Sequence, residues 1–390
     1  MTDVFNRVGL RRMAARDPNA AHRVATPLEL LFDLVFVVAV SQASQNLHHL
    51  ISEDHVAQGI VAYLMVFFAV WWAWMNYTWF SSAFDADDWL YRAMTVVQMA
   101  GVLVLASGIH AAMVDFDYAI VTWGYVVMRL ALVGQWLRAA TSDPASRPTA
   151  LRYAAGVTIV QLLWLGRLLI SDETPALWSF FLLVAFELAL PVWAERSGPT
   201  SWHRHHIAER FGLFTLLLLG ESLLASANAM FGALREGEHV GELIGLATSG
   251  IAVTAGIWWV FFARESHGRL STVRDGFVFG YFHYVVFAAV GAVSSGVEVE
   301  IDHILGRAEV SSAVAGLALT LPVAIFLVSV WVLLLRPVMA IWASAAVLVG
   351  AVTIGLAGLL EYGEYIVGAA LMAGVVVVLE VDAGRMRRPA

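Results

Sequence analysis

The sequence predicts an all-α, polytopic membrane protein with about 12 transmembrane helices in two similar six-helix halves. Three observations lead there. Of 390 residues, 60% are hydrophobic and only 14% charged, whereas a soluble domain is about half apolar and about a quarter charged. The apolar residues gather in stretches of about 20, the length a helix needs to cross a bilayer. Arginines then concentrate in alternate connections, as cytoplasmic loops require.

The first 27 residues are polar and carry Arg7, Arg11, Arg12, Arg16 and Arg23. No small-residue cleavage site follows the next apolar run, so it reads as an uncleaved first span. Twelve spans are predicted in order: 28–50, 56–80, 89–112, 117–138, 151–170, 175–194, 207–231, 240–263, 276–296, 311–335, 337–360 and 363–381. Turn residues punctuate several connections, at Asp143-Pro144, Arg147-Pro148, Gly198-Pro199 and Arg336-Pro337. The predicted plan is a basic cytoplasmic segment 1–27, a first membrane half 28–195, a linker 196–206, a second half 207–382 and a basic tail 383–390.

With the N-terminus inside, 19 of the 23 basic residues, all arginine, fall in cytoplasmic segments. The opposite loops hold Arg235 and Arg307, and are acidic instead: Glu53-Asp54, Asp115, Asp117, Asp172-Glu173, Glu236, Glu238 and Glu298 to Asp302. Both termini are therefore expected in the cytoplasm. One cytoplasmic loop, with Asp85, Asp87 and Asp88, departs from the trend. A weak repeat accompanies the charge pattern. Trp71-Trp72 and Trp258-Trp259 each close the second span of a half, and Asp88 and Asp275 each follow 16 positions after the second tryptophan. A parallel repeat of this kind builds some transporters with a site between the halves; a belt feature recurring by chance is the alternative.

No cysteine is present, which excludes disulfides and thiolate chemistry. Phosphate-binding glycine loops, HExxH and Gly-x-Ser-x-Gly are absent, nothing supports nucleic-acid binding, and no cofactor is expected. Candidate residues are the ionisable groups at membrane depth, each of which is costly there. Thr26-Pro27-Leu28-Glu29 has the form of a capping box, so Glu29 reads as a helix cap. Asp33, one turn deeper, needs a partner such as Arg92 or Arg210. His206, Glu209 and Arg210 open span seven, and Glu221 lies about 18 Å further along it, beside Ser222. Arg129 and Glu187 sit mid-span. His283 is close in depth to Glu221. Arg129 neutralises one of Glu187 and Glu221, so the other must be protonated, bind a cation or reach water; a structural hydrogen-bond network is the bland alternative. The aromatic block Trp71 to Phe80 reads as an interfacial belt, with the lining of a cavity as the alternative. Ser41, Gln42, Ser44, Gln45, Asn46, His48 and His49 are placed to line a vestibule. His48, His49 and His55 form a loose histidine group, but adjacent histidines do not share a helix face, and no metal is expected.

Several stretches resemble the bacterial low temperature requirement protein A family. They are Thr26-Pro27-Leu28-Glu29-Leu30-Leu31-Phe32-Asp33-Leu34-Val35-Phe36-Val37, Glu209-Arg210-Phe211-Gly212-Leu213-Phe214, Leu219-Gly220-Glu221-Ser222, Tyr281 to His283 and Gly291 to Glu298. Asp88 and Arg92 fit the same pattern. The resemblance covers about residues 24 to 380 and implies a multi-pass protein of the bacterial cytoplasmic membrane. It singles out Glu29, Asp33, Arg92, Glu209, Arg210, Glu221 and His283, but names no ligand. Three functions remain in view: a proton-linked, permease-like transporter of a small solute; a lipid-binding protein or intramembrane enzyme using the rim cluster Glu29, Asp33, Arg92, Glu209 and Arg210; and a structural or sensory protein supporting growth in the cold. The lipid bilayer is the expected partner, and the oligomeric state is open.

Overall fold

A computed structural model describes residues 9–17, 24–170, 173–237, 239–264 and 270–386. Arg7, Arg23, Asp172, Glu238, Arg269, Arg387 and Arg388 of the charge pattern lie outside the described residues. Among the described residues, twelve helices of 17 residues or more follow in order: α1 Pro27–Ser52, α2 Val56–Ala83, α3 Trp89–Ser107, α4 Ala119–Ser142, α5 Arg147–Arg167, α6 Glu173–Glu195, α7 Arg204–Glu236, α8 Val240–Phe262, α9 Val273–Ile304, α10 Ser312–Val330, α11 Ile341–Ala357 and α12 Glu364–Met386. Each predicted span falls on one of them. A short helix, Ile109–Val114, follows α3, and a π-helical turn, Trp331–Leu335, ends α10.

Ten of the twelve are long and apolar enough to cross a membrane. The exceptions have local causes. Helix α5 carries Arg147, Arg152, Gln161 and Arg167, and α11 has only 17 residues.

Side chains start several helices as the sequence suggests. The Thr26 N–H donates to Glu29 Oε2 at 2.7 Å, and the Glu29 N–H to Thr26 Oγ1 at 3.3 Å, completing the expected capping box. Asp88 caps α3 by accepting from the Tyr91 N–H. Thr272 and Asp275 form a second box on α9. One boundary differs from expectation. Glu298 to Asp302, read as a loop, belongs to the last turns of α9, which continues to Ile304.

The chain divides into two compact units, Met1–Ala39 with Ala69–Arg210, and Val40–Phe68 with Phe211–Ala390. In the first, α3 packs on α4, α4 on α5 and α5 on α6. In the second, α9 packs on α10, α10 on α11, α11 on α12 and α12 on α8. Close backbone approach explains the α3–α4 contact: a Cβ on Gly124 would stand 2.5 Å from the Leu105 nitrogen and 2.7 Å from the Gly101 oxygen.

In the first unit the N-terminal segment is tied down. Arg16 pairs with Asp85, and the Arg11 N–H donates to Asp88 at 2.8 Å. Arg138 clasps the Asp88 carboxylate with both terminal nitrogens, and Arg92 pairs with Asp87 at 2.9 Å. The acidic loop that broke the arginine trend is thus neutralised residue by residue.

Candidate functional site

Two of the buried charge clusters in the first unit are built around tryptophan donors from α2. Phe32 stacks on Tyr77 at 3.8 Å between ring centroids and packs the space beside Glu29 and Asp33. Arg210 reaches Asp33 with two nitrogens, at 2.5 and 3.2 Å, and Glu29 at 3.3 Å. His206 stands 3.1 Å from the same Glu29 oxygen, and the Trp74 indole donates to Asp33 at 2.7 Å. All four ionisable groups are buried. Two carboxylates face one guanidinium, so the cluster is charge-balanced when His206 carries a proton. Asp33 therefore finds Arg210 and not Arg92, which lies exposed on Asp87. Glu29 is both a cap and an ion-pair partner. Glu209 is half-buried at the start of α7.

The second cluster resolves which acid Arg129 neutralises. Its guanidinium donates to Glu187 at 2.8 Å, and the Trp72 and Trp164 indoles donate to the same carboxylate at 2.8 and 3.0 Å. A third tryptophan repeats the arrangement: Trp79 donates to Glu195 at 3.1 Å, beside donors from Tyr153 and Thr200. The aromatic block is consequently an internal row of donors, not an interfacial belt. Buried indoles need acceptors, and three carboxylates supply them. The composition of 71–80 hints at aromatic burial, but only the fold shows where the N–H groups point.

Glu221 stands elsewhere, half-buried on α7 in the second unit. No basic side chain pairs with it among the described residues; its contact is the Ser41 hydroxyl. Ser41 begins a polar face on α1. Ser41, Gln45, His48 and Ser52, spaced four, three and four apart, share one side of a helix. Gln45 donates to Ser41 at 3.2 Å, His48 meets Asp302 at 2.6 Å, and Ser52 donates to Asp302 at 3.4 Å. Asn228 on α7 holds Glu298 at 2.8 Å, within electrostatic reach of His48 and Asp302. These groups form a lane running about 16 Å along α1 at 1.5 Å per residue. Ser44 and Asn46 leave it, bonding to the Gly291 and Gln42 carbonyls. Glu298, Asp302 and Asn228 were missed as site residues; the four-residue step from Glu298 to Asp302 is the signal that places both on one helix face.

Ser222 is buried beside Glu221, and its hydroxyl has no partner among the described residues. His283 is not on the lane. It lies in a box of Phe211, Phe261, Phe279 and Phe287, with ring centroids 4.2–5.8 Å away, and its Nδ1 donates to the Phe279 carbonyl at 2.7 Å. The other ring nitrogen has no partner among the described residues. Among those residues, no group of three His, Asp or Glu side chains is placed to hold a metal ion.

The fold and its buried ionisable groups define an integral, multi-pass helical membrane protein. The chain belongs to the bacterial low temperature requirement A family, whose model matches residues 24–380. It is also similar to an uncharacterized protein of Rhizobium meliloti (strain 1021), 28% identical over 299 residues, which cover 71% of this chain and 70% of that relative.

Proposed function

We propose that the chain is a permease-like secondary transporter of the bacterial cytoplasmic membrane, linked to proton movement, with both termini in the cytoplasm. One observation carries this reading. Glu221 lies in the middle of a membrane-length helix without a basic partner, and it opens through Ser41 onto a polar lane. An ionisable group at membrane depth without a counter-charge must take a proton, bind a cation or reach water, and a polar lane leading to it serves all three. The Arg129–Glu187 and Arg210–Asp33 pairs are already neutralised and serve as scaffold. The two-half plan has support of its own. Trp72 of α2 donates to Glu187 of α6, and Trp259 of α8 donates to Glu380 of α12 at 2.8 Å, six helices later in each case. The environments differ: Trp72 is buried, whereas Trp259 is 43% exposed.

The test is flux. Purified protein in liposomes with an internal pH dye is expected to move protons under an imposed gradient when the co-transported solute is supplied. Glu221→Gln should reduce that movement at least tenfold while leaving the melting profile intact. No proton or solute movement under any gradient would sink the proposal.

A second reading, a lipid-binding protein, is favoured by one feature of the second unit. A cavity of about 550 Å³ is lined almost wholly by apolar atoms, from Ile51, Ile60, Ala288, Leu317 and Leu321 among others. Its two tyrosines turn their hydroxyls away onto the Ala288 and Leu64 carbonyls. That chemistry suits an acyl chain. Retention of a phospholipid through native mass spectrometry, lost in Ala288→Phe, would support it.

A further inference from the structure

Over its last turns α1 has two working faces. His48 and Ser52 stand on the lane, where both meet Asp302. Leu47 and Ile51, each one residue earlier and so about 100° around the helix, line the apolar cavity of the second unit. Helix α9 is shared in the same way. Tyr284, Ala288 and Ala292 line the cavity, and Glu298 and Asp302 belong to the lane.

The cavity is a slot with a direction. Along α10 its lining runs from Val314 to Ile325, about 16 Å at 1.5 Å per residue. That is about half of the roughly 30 Å hydrocarbon core of a bilayer. One end lies where helices stop and start: Ile51 is in the last turn of α1, Val56 opens α2 and Val314 is in the first turn of α10. The Glu309 N–H donates to the Ser52 carbonyl at 2.7 Å and joins the two connections there. Those connections are polar and exposed, with Glu53, Asp54, His55 and Arg307. The other end, at Leu64, Val285 and Ile325, is apolar and lies well inside α2, α9 and α10. One long side is open. Ile60, Leu64, Val285, Leu321 and Ile325 are all exposed, so the slot is continuous with the surface that these membrane-length helices turn to lipid.

An apolar slot of half-membrane length, polar at its rim and open sideways to the bilayer, has the form of one lipid chain. A polar solute would lose its hydrogen bonds there. We infer that the slot seats one acyl chain of a bilayer phospholipid, its headgroup at the Val56–Val314 end, and that this chain props the lane from behind. The inference rests on the lipid-binding reading of the cavity and adds the chain's direction and its coupling to the lane. The coupling follows from packing. A wall of α1 with no atoms against it loses its dispersion contacts, and His48 and Ser52 ride on that same stretch of helix. Stripping the chain therefore loosens their hold on Asp302. Under the expected orientation the lipid belongs to the outer leaflet.

Depth-resolved photolabelling tests the seat. The full chain is placed in phosphatidylglycerol nanodiscs doped with phosphatidylglycerol whose chain carries a diazirine near the glycerol or near the methyl end. After irradiation, the first probe is expected on peptides around Ile51, Val56 and Val314, and the second around Leu64, Val285 and Ile325. Ala292→Phe and Ala318→Phe fill the slot and should each cut this labelling at least fivefold, leaving labelling elsewhere unchanged. Labelling of the native chain needs no variant to fold. The coupling is read in detergent. Added phosphatidylglycerol should raise the melting temperature of the native chain and saturate at one lipid per chain. Asp302→Asn should lose at least half of that rise, and the slot-filling variants all of it. Depth labels in reverse order, two lipids per chain, a retained free fatty acid in place of phospholipid, or an undiminished rise in Asp302→Asn would each overturn this inference while leaving a lipid-binding protein. No adduct in the slot and no retained lipid would overturn both. Because no flux is measured, neither result bears on the transporter reading.

Discussion

At the residue scale, the buried arginines act mainly by being matched. Arg210 is fully buried and bound to Asp33 through two nitrogens. Breaking a buried pair by deleting one partner costs about 3–5 kcal/mol, because the remaining charge is stranded. Asp33→Asn is therefore expected to lower the melting temperature markedly in detergent. Asp33→Leu combined with Arg210→Met should recover much of that loss, since apolar replacement of a whole buried pair is often neutral. A double variant less stable than either single would contradict this. Asp88 makes a second, pH-dependent case. Burial pushes its carboxyl up, but bonds from Arg138, Tyr91 and Arg11 outweigh burial and hold it below the usual carboxylate range. Its stabilising contribution is thus complete at neutral pH. It is lost as pH falls below about 4, the ordinary value of a free aspartate, and through the lower folded-state value. Melting curves across that acid window should fall less steeply for Asp88→Asn than for the native chain. The need of Asp33 for a partner was legible in the sequence, because a capping role could not account for it. The tryptophan donors were not, because where an indole N–H points depends on packing.

At the scale of elements, small residues decide how closely helices approach. Gly124 faces backbone, with the Leu105 nitrogen 2.5 Å and the Leu105 Cα 2.8 Å from where its Cβ would stand. Backbone cannot swing aside as a flexible side chain can, so Gly124→Ala should separate α3 from α4 and reduce the yield of folded protein. Gly166→Ala is the control, because nothing lies within 4 Å of the Cβ it would add. Gel filtration of both variants in the same detergent checks the contrast; equal monodisperse yields would refute it. Helix starts were legible, since capping chemistry is local: Thr26 with Glu29 is an instance. The end of α9 was not. Glu298, Glu300 and Asp302 look like a solvated loop in hydropathy terms. Asn228 and His48 hold two of them in the fold, and the third, Glu300, is buried. Such offsets come from other helices and leave no local trace.

At the scale of the molecule, orientation decides what the lane can do. Hydropathy made the twelve long helices legible, ten of them long and apolar enough to cross a membrane among the described residues, and the loop arginines add an expected orientation independently of hydropathy. The grouping of residues 40–68 with the second compact unit was not legible, since hydropathy reports depth and carries no record of neighbours. The arginine distribution predicts both termini in the cytoplasm. The lane runs from Glu221 toward Ser52 at the C-terminal end of α1, which under that topology is the outer face. Protons would then reach Glu221 from the side where their potential is higher, and flux should follow an inward gradient. The chain has no cysteine, so any cysteine introduced is the sole thiol. Glu53→Cys and Glu309→Cys replace exposed residues in predicted outer connections, and Ala145→Cys replaces one in a predicted inner connection. A membrane-impermeant maleimide applied to intact spheroplasts should label the first two and spare the third until lysis. The opposite pattern would reverse the lane, and with it the gradient direction that the transport proposal requires.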